Sequence, residues 1–511
     1  MRTLADFSRL NMVRCPEKIA VTLDSQRLSY RALDADSSRL AAALATSGIG
    51  VGDRVAVMAF NCPEFVVVFQ AVAKLGAILV PINVRLSAAE IAAVAQHCRP
   101  KAVFIESPFW AEAATPLAAA GAALFLMRSD GSGPVADMTQ MMAGQPAAFA
   151  GPAVEPSSCA AIMYTSGTTG RAKGVMISHE HYLRIFVAIA IEMEVRESDI
   201  LQVAVPLFHN GGFASVLGPG LMLGAGIVCH RGSFDPALVL GDIARHRISV
   251  THWVPTMLAT VLPIAEQGGH DLSSLQRIHY GAMPISPSLL ARARAAFPQA
   301  AFFQGYGTTD AGLIACLRPE HHHDHPGCTG RPVFNTRSRI VDSGGGEVAE
   351  GGIGEVVVDA ATSGMMGYWG DETATRAAIR DGWIHTGDMA RRDADGFFTL
   401  VERKNFMIIS GGENIYPREV EDVLATHPDI AEVSVIGVKD AKFGEAVCAV
   451  VVAASGAAPS LEDIRAHCEG RIARYKFPRH LLLLPEMPRT AVGKIAKAAL
   501  TEIFEHQRGA P

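Results

Sequence analysis

The densest group of residues able to do chemistry lies at 164–175, where the sequence is YTSGTTGRAKGV. Four Ser and Thr hydroxyls and three glycines surround Lys173. Glycines let backbone N–H groups approach an anion, hydroxyls donate to phosphate oxygens, and the lysine supplies a point charge. The segment is not a Walker P-loop, which needs Ser or Thr after the lysine, because Gly174 follows Lys173. The pattern predicts a phosphate-binding loop, with a flexible Gly/Ser loop as the alternative.

A second candidate is the histidine cluster HHHDH at 321–325, which resembles a metal site in composition. Adjacent residues cannot all face one ion, and no second histidine pair lies nearby at ligand spacing. We therefore expect this segment to be a solvated loop.

The elements that must position these residues alternate between helical and strand patterns over the first 270 residues. Residues 32–47 have apolar side chains at helical spacing, residues 54–59 form a short strand pattern, and Pro63 begins a helix toward Leu75. This alternation predicts an α/β protein with largely parallel sheets.

The stretch between Asp199 and Arg231 contains no Asp, Glu, Lys or Arg and is long enough to span a bilayer. Its prolines and glycines would leave backbone groups unsatisfied in lipid. We therefore expect buried strands and pocket-lining loops there.

The segment after about residue 400 has a different pattern, typical of a small α+β unit. A helix is predicted at 417–427, followed by Val-rich strands at 430–438 and 446–453. Ser460 and Asp463 form a capping box for a further helix reaching toward Arg474.

Composition limits the possible classes of protein. The chain has 511 residues, 49% hydrophobic and 19% charged, with a net charge of −6. These values exclude a disordered chain and argue against a nucleic-acid binder. The nine cysteines show no CxxC spacing, and the N-terminus does not resemble a signal peptide. We expect reduced thiols and a cytoplasmic location.

Further strings follow the phosphate-loop candidate in a fixed order: PLFHNGG (206–212), YGAMP (280–284), QGYGTTD (304–310), GWIHTGD (382–388), Arg403, GGENIYP (411–417) and PRTAVGK (488–494). Together they resemble the adenylate-forming superfamily, which includes acyl- and aryl-CoA synthetases, luciferases and the adenylation domains of peptide synthetases. The resemblance covers nearly the whole chain.

The resemblance implies a large N-terminal AMP-binding domain at 1–402, with stacked α/β sheets and a β subdomain. It also implies a hinge at 403–406 and a mobile α+β C-terminal lid at 407–511. The implied enzyme is an ATP-dependent acyl-CoA synthetase, an acid–thiol ligase that uses ATP, Mg²⁺ and CoA. It forms acyl-AMP and pyrophosphate and then transfers the acyl group to CoA, with the lid taking two positions.

The resemblance assigns site residues by their matching positions. The implied catalytic residues are Lys494, His209 and Lys173, and the implied metal ligand is Asp310. The implied nucleotide-binding residues are Thr165, Ser166, Gly167, Thr168, Thr169, Gly170, Lys173, Gly281, Ala282, Gln304, Gly305, Tyr306, Gly307, Thr308, Asp388, Arg403, Gly411 and Gly412. Asp310 stands where the family has Glu, so an aspartate without a metal role remains open. An interior histidine is the alternative for His209.

Three residues depart from the pattern of the family. Asn405 and Phe406 replace the usual lysine and acid of the hinge, and Val492 replaces a hydroxyl residue.

The rival functions are an enzyme that loads a carrier protein, a luciferase-like oxygenase and a non-catalytic nucleotide-binding protein. The expected partners are small molecules, without nucleic acid or stable membrane insertion, and a homodimer is the candidate oligomer.

The acid is open between a medium- or long-chain fatty acid and an aromatic acid. An apolar tunnel is predicted from Phe208, Phe213, Trp253, Met283, Gly281, Ala282 and Gly305. Phe213 is either an aromatic gate of this tunnel or a core residue.

Overall fold

The computed structural model describes residues 1–128, 134–165, 172–283, 285–410, 413–440, 443–489 and 495–509. The chain divides into two compact units, one of Met1–Ser338 with Val358–Thr386 and the other of Arg339–Val357 with Gly387–Pro511. The predicted domains, 1–402 and 407–511, are bounded differently. The division describes packing in one conformation, so those domains and the hinge at 403–406 stay predictions.

The first unit contains a nine-stranded sheet whose middle strands are parallel. Its order is β15-β14-β13-β12-β11-β9-β10-β1-β2, and β2, β14 and β15 run antiparallel to their neighbours. The strands are β1 (Ile19–Leu23), β2 (Gln26–Ser29), β9 (Ile200–Val203), β10 (Gly226–Cys229), β11 (Val250–Trp253), β12 (Arg277–Gly281), β13 (Ala301–Thr308), β14 (Gly312–Leu317) and β15 (Arg331–Pro332).

A seven-stranded sheet completes the predicted α/β character of this unit, with β3 to β7 mutually parallel. Its order is β18-β8-β7-β4-β3-β5-β6. The strands are β3 (Arg54–Met58), β4 (Ile78–Pro81), β5 (Ala102–Glu106), β6 (Ala123–Met127), β7 (Cys159–Thr165), β8 (Lys173–Ser178) and β18 (Gly367–Tyr368).

Helices cover these sheets, and α3 contacts both. Pro63 begins α3 at its first turn, Gly76 ends it in the left-handed conformation, and every residue between them except Glu64 is buried. It packs on β1 of one sheet and on β3 and β4 of the other. The helices of this unit are α1 (Asp6–Arg14), α2 (Tyr30–Thr46), α3 (Pro63–Leu75), α4 (Ala88–Cys98), α5 (Trp110–Ala119), α6 (Met138–Met142), α7 (His179–Glu192), α8 (Asn210–Gly212), α9 (Gly218–Leu223), α10 (Pro236–His246), α11 (Pro255–Gln267), α12 (Pro287–Ala296) and α13 (Glu372–Ala378).

The uncharged stretch after Asp199 contains buried strands at its two ends, as predicted, and helical turns between them. β9 and β10 are adjacent parallel strands, and the chain between them forms α8, a π-helical turn (Phe213–Leu217) and α9. Within the described part of the chain, no helix is both long and apolar enough to cross a membrane.

The second unit has the predicted α+β pattern. Its main sheet has the order β23-β22-β25-β24, with β26 parallel to β25. These strands are β22 (Ile408–Ser410), β23 (Glu413–Ile415), β24 (Ile430–Asp440), β25 (Gly444–Ala453) and β26 (His480–Leu483), and the helices are α14 (Pro417–Leu424), α15 (Leu461–Cys468) and α16 (Lys497–Gly509). The predicted helix toward Arg474 is too long, because α15 ends at Cys468.

A further five-stranded sheet is formed by strands between Ser338 and Arg403. Its order is β16-β17-β20-β19, and β21 also pairs with β20. The strands are β16 (Ser338–Val341), β17 (Ile353–Asp359), β19 (Ile379–Arg380), β20 (Trp383–Arg392) and β21 (Phe398–Arg403).

Candidate active site

The two ends of the predicted phosphate loop are held by an antiparallel strand pair. β7 ends at Thr165 and β8 begins at Lys173, and these two residues are direct partners in the ladder. The loop between them is therefore a strand connection whose lysine lies at the base of its second strand. Its predicted ligands Ser166, Gly167, Thr168, Thr169 and Gly170 lie outside the described residues.

Lys173 and Asp310 contact the same tyrosine side chain, the lysine at the ring face and the aspartate at the hydroxyl. The Nζ atom of Lys173 lies 4.7 Å from the ring centroid of Tyr368, which places the cation over the ring face. The hydroxyl of Tyr368 donates to Oδ2 of Asp310 at 3.0 Å. Tyr368 reaches Lys173 because β18 pairs with β8 and Tyr368 is the ladder partner of Val175. It reaches Asp310 because the backbone N–H of nearby Met365 donates to the carbonyl oxygen of Asp310 at 2.7 Å. A cation and a carboxylate are thus fixed by one largely buried side chain.

The residues predicted to surround a nucleotide occur where parallel strands end. Gly281 is the last residue of β12, and its ladder partner in β13 is Gly305. A Cβ atom at Gly281 would lie 2.2 Å from the carbonyl oxygen of Gly305, so only glycine fits this contact. Ligand sites of open α/β sheets lie at the carboxyl ends of the strands, which is where these backbones meet.

Ala282, immediately after β12, has a left-handed backbone with φ +64°. For a residue with a Cβ atom this conformation costs roughly 1–2 kcal/mol. Such strain concentrates at ligand-binding sites, where the surrounding structure holds it. The observation is consistent with the predicted role of Ala282 at the nucleotide.

The segment 304–308 presents alternating side chains at the end of β13. Gln304 and Tyr306 share one face of the strand and are 9% and 7% exposed. The hydroxyl of Thr308 accepts a hydrogen bond from the backbone N–H of Ala311 at 3.0 Å, which fixes the turn that carries Asp310. Gly305 and Gly307 are the other predicted nucleotide-binding residues of this segment.

His209 lies after β9, at the residue preceding α8. Its backbone is extended, and its ring makes an edge contact with the ring of Phe208 at a centroid distance of 4.7 Å. The next residue, Asn210, accepts a hydrogen bond from the hydroxyl of Tyr182 through Oδ1 at 3.1 Å. The histidine is therefore on a short, well-anchored turn at the carboxyl side of the nine-stranded sheet.

Asp388 and Arg403 are partners in the second unit. They face each other in the β20–β21 ladder, and Nε of Arg403 donates to Oδ1 of Asp388 at 2.8 Å. Asp388 is buried, whereas the arginine side chain is 45% exposed. The arrangement leaves a buried carboxylate oriented by a guanidinium that reaches solvent. The predicted residues Gly411, Gly412 and Lys494 lie outside the described residues.

Comparison with known proteins identifies the family. The model of the AMP-binding enzyme family matches residues 9–369, and the model of the AMP-binding enzyme C-terminal domain matches residues 419–494. The chain belongs to the AMP-binding enzyme family. The resemblance inferred from the sequence strings and the predicted fold class are confirmed.

Similar proteins cover almost the whole chain of this AMP-binding enzyme. An indoleacetate–CoA ligase from Aromatoleum aromaticum is 36% identical over 486 residues, 94% of each chain. The fatty acid–[acyl-carrier-protein] ligase ScoC from Streptomyces coeruleorubidus is 33% identical over 99% of this chain and 97% of its own. The anthranilate CoA ligase AuaEII, solved with anthranoyl-AMP, is 26% identical, with a TM-score of 0.90 over 99% of this chain and 98% of its own.

Two rings that were predicted to line a tunnel in this AMP-binding enzyme are fully buried among other side chains. Phe213 packs on Phe69 and Tyr182 at centroid distances of 4.9 and 5.2 Å. Trp253 packs on Phe297 at 5.7 Å. The structure supports the core interpretation of Phe213.

The prediction of a solvated histidine loop is wrong for His322. Its ring is buried, with 8% exposure, and contacts the hydroxyl of Tyr280. His323, the next residue, has a side chain that is 93% exposed, as predicted. No group of three or more His, Cys, Asp or Glu side chains arranged for a metal ion occurs among the described residues.

Sequence reasoning missed Tyr368 and His322. Tyr368 lies 58 residues from Asp310 in the chain, and the backbone N–H of Met365, which donates to the carbonyl oxygen of Asp310 at 2.7 Å, helps to bring them together. His322 lies within the polar segment 321–325, whose composition predicts exposure to solvent. No spacing rule identifies either residue.

Proposed function

We propose that the protein is an ATP-dependent acyl-CoA synthetase that activates a carboxylic acid as acyl-AMP and transfers the acyl group to CoA. The observation that carries the proposal is the contact of both Lys173 and Asp310 with Tyr368. A phosphate-binding cation beside a carboxylate is the pair that a magnesium–nucleotide complex needs. Family membership supports the same reaction.

In the first half-reaction, a carboxylate oxygen of the acid attacks the α-phosphorus of ATP, and the bond to pyrophosphate breaks. Lys173 stabilises the negative charge of the phosphates, and Lys494 the charge that develops at the α-phosphorus. Gly281, Ala282 and the segment 304–308 supply the close backbone approach and the surface for the base. Asp388 accepts hydrogen bonds from the ribose hydroxyls, oriented by Arg403.

The residues present fit a magnesium ion. Asp310 offers a hard carboxylate oxygen, and Mg²⁺ in nucleotide sites takes only one or two protein carboxylates and completes its shell with phosphate oxygens and water. When bound, the ion would neutralise phosphate charge. Tyr368 holds one oxygen of Asp310 through its hydroxyl, which orients the carboxylate.

In the second half-reaction, the CoA sulfur attacks the carbonyl carbon of acyl-AMP, and AMP leaves. We propose that the lid at 407–511 rotates about 403–406, which removes Lys494 and brings the loop 410–414, with Gly411 and Gly412, to the thioester step. Two chemistries at one site explain the need for two lid positions. His209 would stand at the entrance for the acyl group.

We propose an aromatic or arylalkanoic acid as the substrate, on the basis of the indoleacetate and anthranilate ligases described above. Fatty acids are the alternative, and the similarity to ScoC keeps a carrier protein as the alternative acceptor. A cytoplasmic location is supported by the nine cysteines, none of which forms a disulfide among the described residues. The homodimer is tested by sedimentation equilibrium.

The test combines purified protein, MgATP and a panel of aryl, arylalkanoic and straight-chain acids, with pyrophosphate release as the first readout. CoA and a phosphopantetheinylated carrier protein are then compared as acceptors. We expect acid-dependent pyrophosphate release and a CoA thioester, largest with an aryl acid. The absence of pyrophosphate release with every acid would overturn the synthetase assignment, and acylation of the carrier protein alone would favour the ScoC-like function.

A further inference from the structure

The buried histidine of the cluster at 321–325 is connected to the nucleotide segment by hydrogen bonds. Nε2 of His322 lies 2.9 Å from the hydroxyl of Tyr280, which itself lies 3.1 Å from Oε1 of Gln304. Tyr280 and Gln304 are direct ladder partners in β12 and β13. These hydrogen bonds therefore run from His322 through the fully buried Tyr280 to Gln304, the first residue of the segment 304–308 that is proposed above to lie against the base.

The positions of the hydrogens in these hydrogen bonds follow from the tautomer of His322. Nδ1 of His322 lies 2.9 Å from the carbonyl oxygen of Arg318, and because a carbonyl can only accept, Nδ1 carries the hydrogen. Burial, together with the nearby charge of Arg294, lowers the pKa of His322, so the ring is neutral at pH 7. Nε2 of His322 is then an acceptor and takes the hydrogen of the Tyr280 hydroxyl.

The hydroxyl of Tyr280 has one hydrogen and two neighbours that could accept it. Once that hydrogen is donated to His322, Tyr280 can only accept from Gln304. The nitrogen and oxygen of a carboxamide exchange places by a half-turn about its last bond, and every group is satisfied when this half-turn puts the NH₂ of Gln304, in place of Oε1, beside the tyrosine oxygen. The carbonyl oxygen of Gln304 then points away from Tyr280.

We propose that His322 is a specificity-determining positioning residue, which fixes the carboxamide of Gln304 so that its carbonyl oxygen is offered to the exocyclic amino group of an adenine. The inference rests on the proposed function, because a bound ATP is assumed to place its base beside 304–308. A 6-oxo purine carries an acceptor at the same position and is rejected by the same carbonyl oxygen.

The decisive variant is His322→Leu, which removes the acceptor. The hydrogen of Tyr280 is then free for Gln304, the carboxamide turns over, and its NH₂ faces the base. We expect the ratio of ITP to ATP dissociation constants, measured calorimetrically with Mg²⁺, to fall about tenfold or more, the size of one exchanged hydrogen bond. His322→Gln retains an acceptor near the Nε2 position, so the ratio should stay close to that of the unmodified protein.

The matched control is His323→Leu, the same substitution at the exposed neighbour, which should leave the ratio unchanged. Tyr280→Phe provides a second test if His322→Leu does not fold, since losing the hydroxyl should also reduce the ratio. Equal weakening of ATP and ITP in both variants, or no preference for ATP in the unmodified protein, would overturn the proposal. A protein that prefers ATP but forms no acyl-AMP would instead contradict the proposed function.

Discussion

Phe213 offers a sharp test of the difference between core packing and a substrate gate. Its ring is fully buried and contacts Phe69 and Tyr182, with Phe186 at a centroid distance of 6.4 Å. It also begins the π-helical turn between His209 and β10. The substitution Phe213→Ala therefore removes a ring that three aromatic neighbours surround.

The expected loss is large because the cavity cannot easily close. Truncation of a buried phenylalanine costs about 3–5 kcal/mol, and aromatic pairs contribute roughly 0.5–1.5 kcal/mol beyond their area. Tyr182 and Phe186 both lie on α7 and Phe69 lies on α3, so closing the cavity would require these two helices to move toward each other. We expect the melting temperature of Phe213→Ala to fall by several degrees, with Phe213→Leu intermediate.

The assay measures melting temperature and the profile of acyl-CoA formation over graded acids for the same preparations. A core role predicts lower activity on every acid, with unchanged relative preference. Phe104→Ala is the matched control, because Phe104 is equally buried in the seven-stranded sheet and stacks on Phe125. A Phe213→Ala protein with normal melting temperature that accepts longer acids would refute the core interpretation.

Three other groups give measurable expectations. Burial lowers the pKa of His252 to about 4 and that of His279 to about 3, so between these values and about pH 6.5 both histidines bind protons only on unfolding. Their contribution to the free energy of unfolding should be complete above about pH 6.5 and should fall as the pH drops toward 4. A melting-temperature profile in His252→Leu as steep as that of the unmodified protein would contradict this. Asp310→Asn should raise the Mg²⁺ concentration for half-maximal activity and weaken MgATP binding in calorimetry, with Tyr368→Phe showing a smaller shift; unchanged values in both would remove their metal role. Lys494→Ala should abolish acyl-AMP formation but largely spare thioester formation from supplied acyl-AMP, and equal loss of both half-reactions would contradict the assigned role.

Local patterns predicted the elements well where one physical cause dominates. Pro63 fixes the start of α3, and Gly76 its end. Ser460 and Asp463 make the expected capping box, with the side chain of each bonded to the backbone N–H of the other. The overlong helix toward Arg474 was wrong because capping determines where a helix begins and carries no information about its last turn.

The site was predictable only as a set of segments. Strings such as QGYGTTD identified the residues near strand ends, because glycine and hydroxyl residues have few other reasons to cluster there. The contacts that fix them, such as Tyr368 with Asp310 and Tyr280 with His322, join residues that are far apart in the sequence. Long-range pairing of this kind leaves no periodic pattern in the sequence.

The departure at the predicted hinge has a physical counterpart in the second unit. Nζ of Lys497 lies 5.3 Å from the ring centroid of Phe406 and pairs with Glu402 at 3.3 Å and Glu421 at 3.0 Å. Burial raises the pKa of Glu402, so the lysine compensates a costly carboxylate next to the predicted bend. An aspartate in place of Phe406 would add a third acid beside this lysine and weaken its contacts with the other two. Phe406 instead offers a ring face to the same cation, which retains the attraction without adding charge.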